Sequence, residues 1–316
     1  MITNDPAVAW ECVIVGGGAA GLSAALSLGR ARRRTLVVDA GRQSNLAAHG
    51  VGGLLNHDRQ PPTELYARGR EELTEYPTVA LRDGQVEVVR GDSHTGFTVT
   101  LDDGTAHSAL RLLLAGGMDY RYPDLPGAAQ RWGSTVFHCP FCHGWEVAGR
   151  PLAVLNPDPA GVHQALLLTA WSDRVTLLAG GAVGQAASVA LSDEDRARLA
   201  AAGVGVEERP VAALHGPESE LEAIELADGT HLACGGMLVA TTLHQRSDLA
   251  ARLGIAFAAA NPMTAEAIEI DMQHRTTVPG IYAAGDITAG PPSVARAIAQ
   301  GNFAGAMIVA GLTGSV

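Results

Sequence analysis

The chain has 316 residues, with 22 Lys and Arg against 33 Asp and Glu and a formal net charge of -11. That acidic balance argues against a nucleic-acid groove or an anionic membrane surface as partner. Hydrophobic residues make up 47 % and glycine numbers 38, and a soluble chain of this length is expected to form about two domains.

Residues up to Cys12 carry no basic stretch ahead of an apolar run, so no secretory signal is expected and the expected location is cytoplasmic. Cys12-Val-Ile-Val15 is a short apolar run that predicts a buried parallel strand. Gly16-Gly-Gly-Ala-Ala-Gly21 follows, then helical spacing over 22–34, then a second buried strand over 35–38 that ends at Asp39. Gly16, Gly18 and Gly21 let a backbone turn tightly against a pyrophosphate, and Asp39, about 20 residues on, can accept hydrogen bonds from ribose hydroxyls. A lone GxGxxG is a weak signal, and a Gly-rich turn in an ordinary α/β domain is the plain alternative; the strand, helix and acidic residue in order favour the dinucleotide site.

Residues 54–76 read as loop and helix, with Pro61-Pro62 at the helix start. Residues 86–89 and 97–101 alternate between Gly-containing breaks and predict an antiparallel meander. A buried strand over 110–114 closes on Ala115-Gly-Gly117, and the turn-rich 122–127 marks a domain crossing. A second α/β segment starts near Pro151, with strands over 152–155 and 175–178 around a helix over 161–171. After a strand over 238–240, the polar run 244–247 marks the return crossing. The last helix, 295–312, has Gly301 and Gly305 at the GxxxG spacing, but Arg296, Gln300 and Asn302 favour a buried helix of a soluble domain over a membrane span. The fold class expected is α/β with two Rossmann-like dinucleotide-binding-type domains: residues 1–118 and 247–316 as one, and 119–246 as a middle domain.

Of four cysteines, Cys12 and Cys234 sit in apolar strand patterns and read as inert core residues. Cys139 and Cys142 lie in Phe137-His-Cys-Pro-Phe-Cys-His-Gly-Trp145. A CxxC pair can close a reversible disulfide. The same letters fit a c-type haem attachment, half a zinc site or a structural pair. Haem attachment needs export, and zinc usually needs a second CxxC, which the chain lacks; no metal is expected. His138 and His143 flank the pair, and a neutral imidazole can take a proton from a thiol; mere packing beside the motif is the alternative for either.

Ala283-Ala-Gly-Asp286, preceded by Thr277-Val-Pro-Gly-Ile-Tyr282, resembles the second FAD motif of flavoproteins with two dinucleotide-binding domains. With the CxxC at the start of the middle domain, the whole chain is similar to low-molecular-weight thioredoxin reductase. That resemblance implies FAD as cofactor, Cys142 as the flavin-facing thiol and Cys139 as the substrate-facing one. It places Asp286 against the ribityl–pyrophosphate region and Ala297, at the last helix N-terminus, by the flavin. Cofactor contacts are further expected from Ala20, Arg42, Asn45, His49 and Ala115, and a homodimer is implied.

One departure changes the functional expectation. The family binds NADPH at a second Gly-rich turn, which here reads Leu155-Asn-Pro-Asp-Pro-Ala-Gly161, and no Arg or Lys follows the next strand until Arg196. Prolines remove backbone donors and Asp158 would repel a pyrophosphate, so no NADPH is expected. Cys-Pro-Phe-Cys-His-Gly-Trp-Glu, His57-Asp58 and the altered turn resemble the dithiol oxidases of holomycin and gliotoxin biosynthesis. The implied activity is closure of an intramolecular disulfide in a small dithiol, with electrons passed to dioxygen to give hydrogen peroxide. A ferredoxin-fed or NADPH-dependent thioredoxin/disulfide reductase and an FAD-holding redox sensor are the alternatives.

Overall fold

A computed structural model describes residues 10–156, 159–184 and 191–315; Pro157 and Asp158 of the altered turn, and the N-terminal stretch read for a signal, lie outside the described residues. The chain forms two compact units, one of Met1–Leu46, Pro61–Tyr120 and Thr242–Val316, the other of Ala47–Gln60 and Arg121–Thr241. In chain order the first unit supplies β1 (Trp10–Val15), α1 (Ala19–Arg30), β2 (Thr35–Asp39), α2 (Pro62–Glu72), β3 (Val79–Asp83), β4 (Val86–Asp92), β5 (Gly96–Leu101), β6 (Ala106–Leu114) and β7 (Met118–Arg121). The second supplies α3 (Ala128–Arg131), β8 (Val136–Phe137), α4 (Pro140–His143), β9 (Leu152–Leu155), α5 (Ala160–Leu168), β10 (Val175–Leu178), α6 (Asp193–Ala201), β11 (Gly205–Glu207), β12 (Val211–His215), β13 (Ala223–Leu226), β14 (His231–Ala233) and β15 (Gly236–Val239). The first unit then resumes with β16 (Thr242–Gln245), α7 (Leu249–Arg252), β17 (Ile281–Ala283) and α8 (Val294–Thr313).

In the first unit β1 lies between β2 and β6, parallel to both. The long β6 pairs antiparallel with β5 through its first half and parallel with β17 through its second. Apolar residues of this sheet feed a separate core on each face. One face is covered by α1 and α8 in close contact. A side chain at Gly301 would collide with the Ala20 carbonyl, and one at Gly305 with Ala24 and Ser27. The GxxxG spacing therefore serves helix packing within this unit, and Ser23 Oγ donates to the Ile298 carbonyl at 2.8 Å across the same contact. Among the described residues no helix is long and apolar enough to cross a membrane.

The second unit holds a parallel sheet in the order β11-β10-β9-β15-β8 and a separate antiparallel sheet β12-β13-β14. Its α5 ends at Leu168, short of the 171 expected, because Trp171 leaves the helix and its carbonyl accepts from Gly149 N at 2.8 Å. The architecture is α/β, with a Rossmann-like strand–helix–strand unit in each half, as expected from sequence. Cys12 and Cys234 are free and buried. Burial pushes the Cys234 thiol up to about 12 and raises that of Cys12 further, which leaves both unreactive near neutrality.

Candidate redox and cofactor site

The β1–α1 turn is shaped by glycines for steric reasons. Gly16 has φ +111°, and a Cβ there would strike the Ala115 backbone; one at Gly21 would strike the Gly16 carbonyl. A Cβ at Gly18, by contrast, would meet only the Gln43 side chain, at 3.6 Å. No side chain caps α1 and its first turn holds no acid, so its leading N–H groups are available to an anion. Asp39, buried at the end of β2, accepts from Gly41 N and from Gln43 Nε2, and pairs with Arg70 Nη1 at 3.1 Å. Neither Gln43 nor Arg70 was legible in the sequence, since the fingerprint stops at the acidic residue.

The other end of the chain meets this turn. Gly285 has φ +87°, and its missing Cβ would sit 2.9 Å from Ala20 Cβ and 3.9 Å from Ala297 Cβ. Asp286 follows. Its Oδ2 accepts from the Tyr120 hydroxyl at 2.8 Å, while Oδ1 is buried with no partner among the described residues. Burial raises the Asp286 pKa, against the Tyr120 hydrogen bond and the Arg296 and Arg246 charges. Asn45 Oδ1 accepts from the Tyr66 hydroxyl at 2.8 Å, and Arg42 Nη2 donates to Gln85 Oε1 at 2.5 Å. Tyr66, Tyr120, Arg246 and Arg296 are further residues of this region that sequence reasoning missed.

These residues fit FAD. An uncapped helix start beside a cleared backbone suits a pyrophosphate, Asp39 suits a ribose, and the orphaned Asp286 oxygen calls for a hydroxyl donor such as the ribityl chain carries.

In the second unit Cys139 and Cys142 are joined as a disulfide, with Cα atoms 5.3 Å apart across the single turn of α4. Pro140 follows Cys139 at the first helical position, where its missing N–H costs nothing. The segment Ala47–Gln60 folds back through a Val51–Gln60 bridge, and a Cβ at Gly52 would strike the Cys142 carbonyl. In this segment the Asp58 carboxylate accepts from Gly53 N at 2.8 Å, and the His57 ring pairs with Gln60 Oε1 at 2.7 Å. His57-Asp58 thus shapes the loop that packs on the disulfide turn.

Both flanking imidazoles favour the neutral form. Burial, then the neighbouring His143, lowers His138 to about 4, and its ring stacks on Trp132 with centres 5.8 Å apart. Burial also lowers His143, reinforced by His49 and opposed by Glu146 and by the Cys139 and Gly133 carbonyls. Neither His143 ring nitrogen makes a hydrogen bond of good geometry. Around the disulfide turn Phe141 is 69 % exposed, Trp145 73 % and Leu55 94 %.

The β9–α5 turn keeps one glycine of three. Gly161 stands where Gly21 stands in the first unit, and a Cβ there would strike the Asn156 carbonyl as one at Gly21 would strike Gly16. The position matching Gly16 is Asn156, which is buried, lacks a positive φ, and spends its side-chain amide on Gln164 Oε1 at 3.0 Å. Packing of strand on helix is retained while the turn that would face a ligand has changed. Beyond β10, Glu207 and Glu208 engage Arg209 and Arg196 in ion pairs of 2.7 and 2.5 Å, so these two arginines are already matched by carboxylates.

The family model for pyridine nucleotide-disulphide oxidoreductases matches residues 10–301. Thioredoxin reductase aclD of Aspergillus oryzae is 30 % identical over 312 residues, covering 96 % of each chain. Thioredoxin reductase sirT of Leptosphaeria maculans is 27 % identical over 310 residues, 94 % of this chain and 92 % of that one. Of solved structures, an oxidoreductase from Agrobacterium tumefaciens matches with a TM-score of 0.90 at 35 % identity, over 98 % of this chain and 100 % of the other. HlmI matches with a TM-score of 0.86 at 34 % identity, over 97 % and 93 %.

Proposed function

The chain belongs to the pyridine nucleotide-disulphide oxidoreductase family, among its thioredoxin-reductase-like members of the gliotoxin and holomycin type, and from that premise we propose that it is an FAD-dependent dithiol oxidase. The observation that carries the proposal is the Cys139–Cys142 disulfide between two imidazoles held neutral by burial, in a chain whose β9–α5 turn has lost two of its three glycines.

The proposed reaction converts a small dithiol and dioxygen into a cyclic disulfide and hydrogen peroxide. A substrate thiolate attacks Cys139 Sγ, the Cys139–Cys142 bond breaks, and Cys142 leaves as a thiolate. The second substrate thiol attacks the mixed disulfide, closing the product ring and releasing Cys139. Each attack needs a thiol proton removed, and the proposed acceptors are His143 and His138, the imidazoles that flank the pair in the sequence. Gly16, Gly18, Ala20, Gly21, Asp39 and Asp286 would hold FAD, with Arg42, Asn45, His49, Ala115 and Ala297 as further proposed contacts, and bound FAD would supply two-electron acceptor chemistry with dioxygen as the final acceptor. The domain assignment proposed is FAD binding by 1–118 and 247–316, with 119–246 as a middle domain that takes no NADPH. The exposed Phe141 and Trp145 favour an apolar small substrate.

Oxygen uptake by the FAD-loaded protein tests this. A dithiol should be oxidised far faster than glutathione, because once Cys139 holds the first thiol the second is already in place. One dioxygen should disappear per disulfide formed, with peroxide accumulating in the absence of any nicotinamide. Equal rates for dithiol and monothiol would point to a general thiol oxidase. Rapid anaerobic bleaching of the flavin by NADPH would establish the reductase instead.

A further inference from the structure

The antiparallel sheet of the second unit carries a group of side chains that the redox chemistry does not use. Its strands alternate. Leu214, Ile224 and Leu226 point into the core, which puts His215, Ala223, Glu225, His231 and Ala233 on the opposite, outward face. Glu225, on the central strand, is directly opposite His231, and His215 lies opposite Ala223, one outward position along. The small Ala223 between them leaves room for the two rings to lean together, with centres 5.2 Å apart. His215 Nε2 and Glu225 Oε2 are 2.7 Å apart, and one donor atom from each of the three residues lies within 4.8 Å of the others.

We propose that His215, Glu225 and His231 bind one divalent transition-metal cation of the zinc class. Two imidazoles and a carboxylate match the ligand preference of such ions and leave a fourth position for water. Donors around a tetrahedral zinc stand about 3.4 Å apart, as ligand bonds near 2.0–2.1 Å require. Small side-chain rotations bring the three donors to that separation, exchanging the His215–Glu225 hydrogen bond for shared coordination. Each ligand comes from a different strand of one sheet, so the backbone that holds them is already fixed. The neighbouring cation does not compete for the carboxylate: Arg209 is engaged by Glu207 at 2.7 Å and Asp228 at 2.8 Å. No spacing motif joins these residues in the sequence, which is why only the CxxC drew attention as a metal candidate there.

The test uses tag-free, FAD-loaded protein with its Cys139–Cys142 disulfide closed, titrated with Zn2+ against a chromophoric chelator. One equivalent should bind per chain, and Co2+ in its place should give the visible absorption of a low-symmetry, four- or five-coordinate ion. His231→Ala and Glu225→Gln should each weaken binding by about tenfold or more, while keeping flavin absorbance and turnover. A Cys139→Ser/Cys142→Ser double variant should bind Zn2+ as tightly as the parent. Absence of stoichiometric binding, unchanged affinity in His231→Ala, or loss of binding in the cysteine variant alone would each overturn the proposal.

Discussion

Replacing His138 by phenylalanine should abolish a specific loss of stability in acid. Burial first, and His143 second, hold the His138 pKa down from 6.5 to about 4. A base whose pKa is lower folded than unfolded is protonated first in the unfolded chain. As pH falls from about 6.5 toward 4, the unfolded state takes up a proton that the folded state refuses, so stability declines across that window and levels off on either side. With those two values, the contribution lost between pH 7 and pH 5 is about 2 kcal/mol. His138→Phe keeps an aromatic ring beside Trp132 and deletes the titration. Urea unfolding of the oxidised, FAD-bound parent and variant at both pH values measures the effect. Other groups titrate in both proteins, so the difference between the two pH dependences isolates His138. The parent should lose about 2 kcal/mol more than the variant. Equal losses would mean that the ring is solvated in the folded protein, and would withdraw His138 as a neutral proton acceptor.

Two glycines of one turn should fail in different ways. Gly18→Ala meets only a flexible side chain within the protein, so the apoprotein should melt at the parent's temperature while FAD binding, measured by flavin fluorescence, weakens by about tenfold or more. Gly21→Ala forces a methyl onto the Gly16 carbonyl and should lower the apoprotein's own stability by about 1–3 kcal/mol; an unchanged melting temperature would contradict the close packing of α1 on β1. The cysteine roles separate spectroscopically. Cys139→Ser should keep a long-wavelength thiolate–flavin absorbance that Cys142→Ser lacks, and the reverse pattern would exchange the two assignments.

What the sequence disclosed was local. The strand, Gly-rich turn, helix and Asp39 lie within one stretch, and their chemistry follows from spacing; so do the CxxC and its flanking histidines. The antiparallel pair of β4 and β5 was legible from alternation, whereas β6 was read only as a buried strand over 110–114, without its antiparallel first half. Partners brought in by tertiary contact were not legible: Arg70 on Asp39, Tyr120 on Asp286 and the loop from Ala47 to Gln60 on the disulfide turn are separated from their targets by dozens of residues or more. Periodicity says which face of an element is buried, not what it is buried against. The altered β9–α5 turn shows the complementary case. Its changed residues were visible in sequence, but only the structure reveals that Gly161 keeps the helix against its strand, so the unit retains its packing after the ligand-facing glycines have gone.

The split origin of the first unit bears on how the protein is made. Its sheet needs β17 beside β6, and α1 is covered by α8, yet all of β8 to β15 is translated before either late element leaves the ribosome. A nascent chain that has reached only Thr241 contains every segment of the second unit, whereas the first still lacks the strand that pairs with the second half of β6 and the helix that shields its apolar face. FAD capture is then one of the last events of biogenesis. Until α8 emerges, the uncovered side of α1 is a surface for chaperones to hold. A ribosome stalled late in the message would leave that face bare and expose the newborn chain to aggregation.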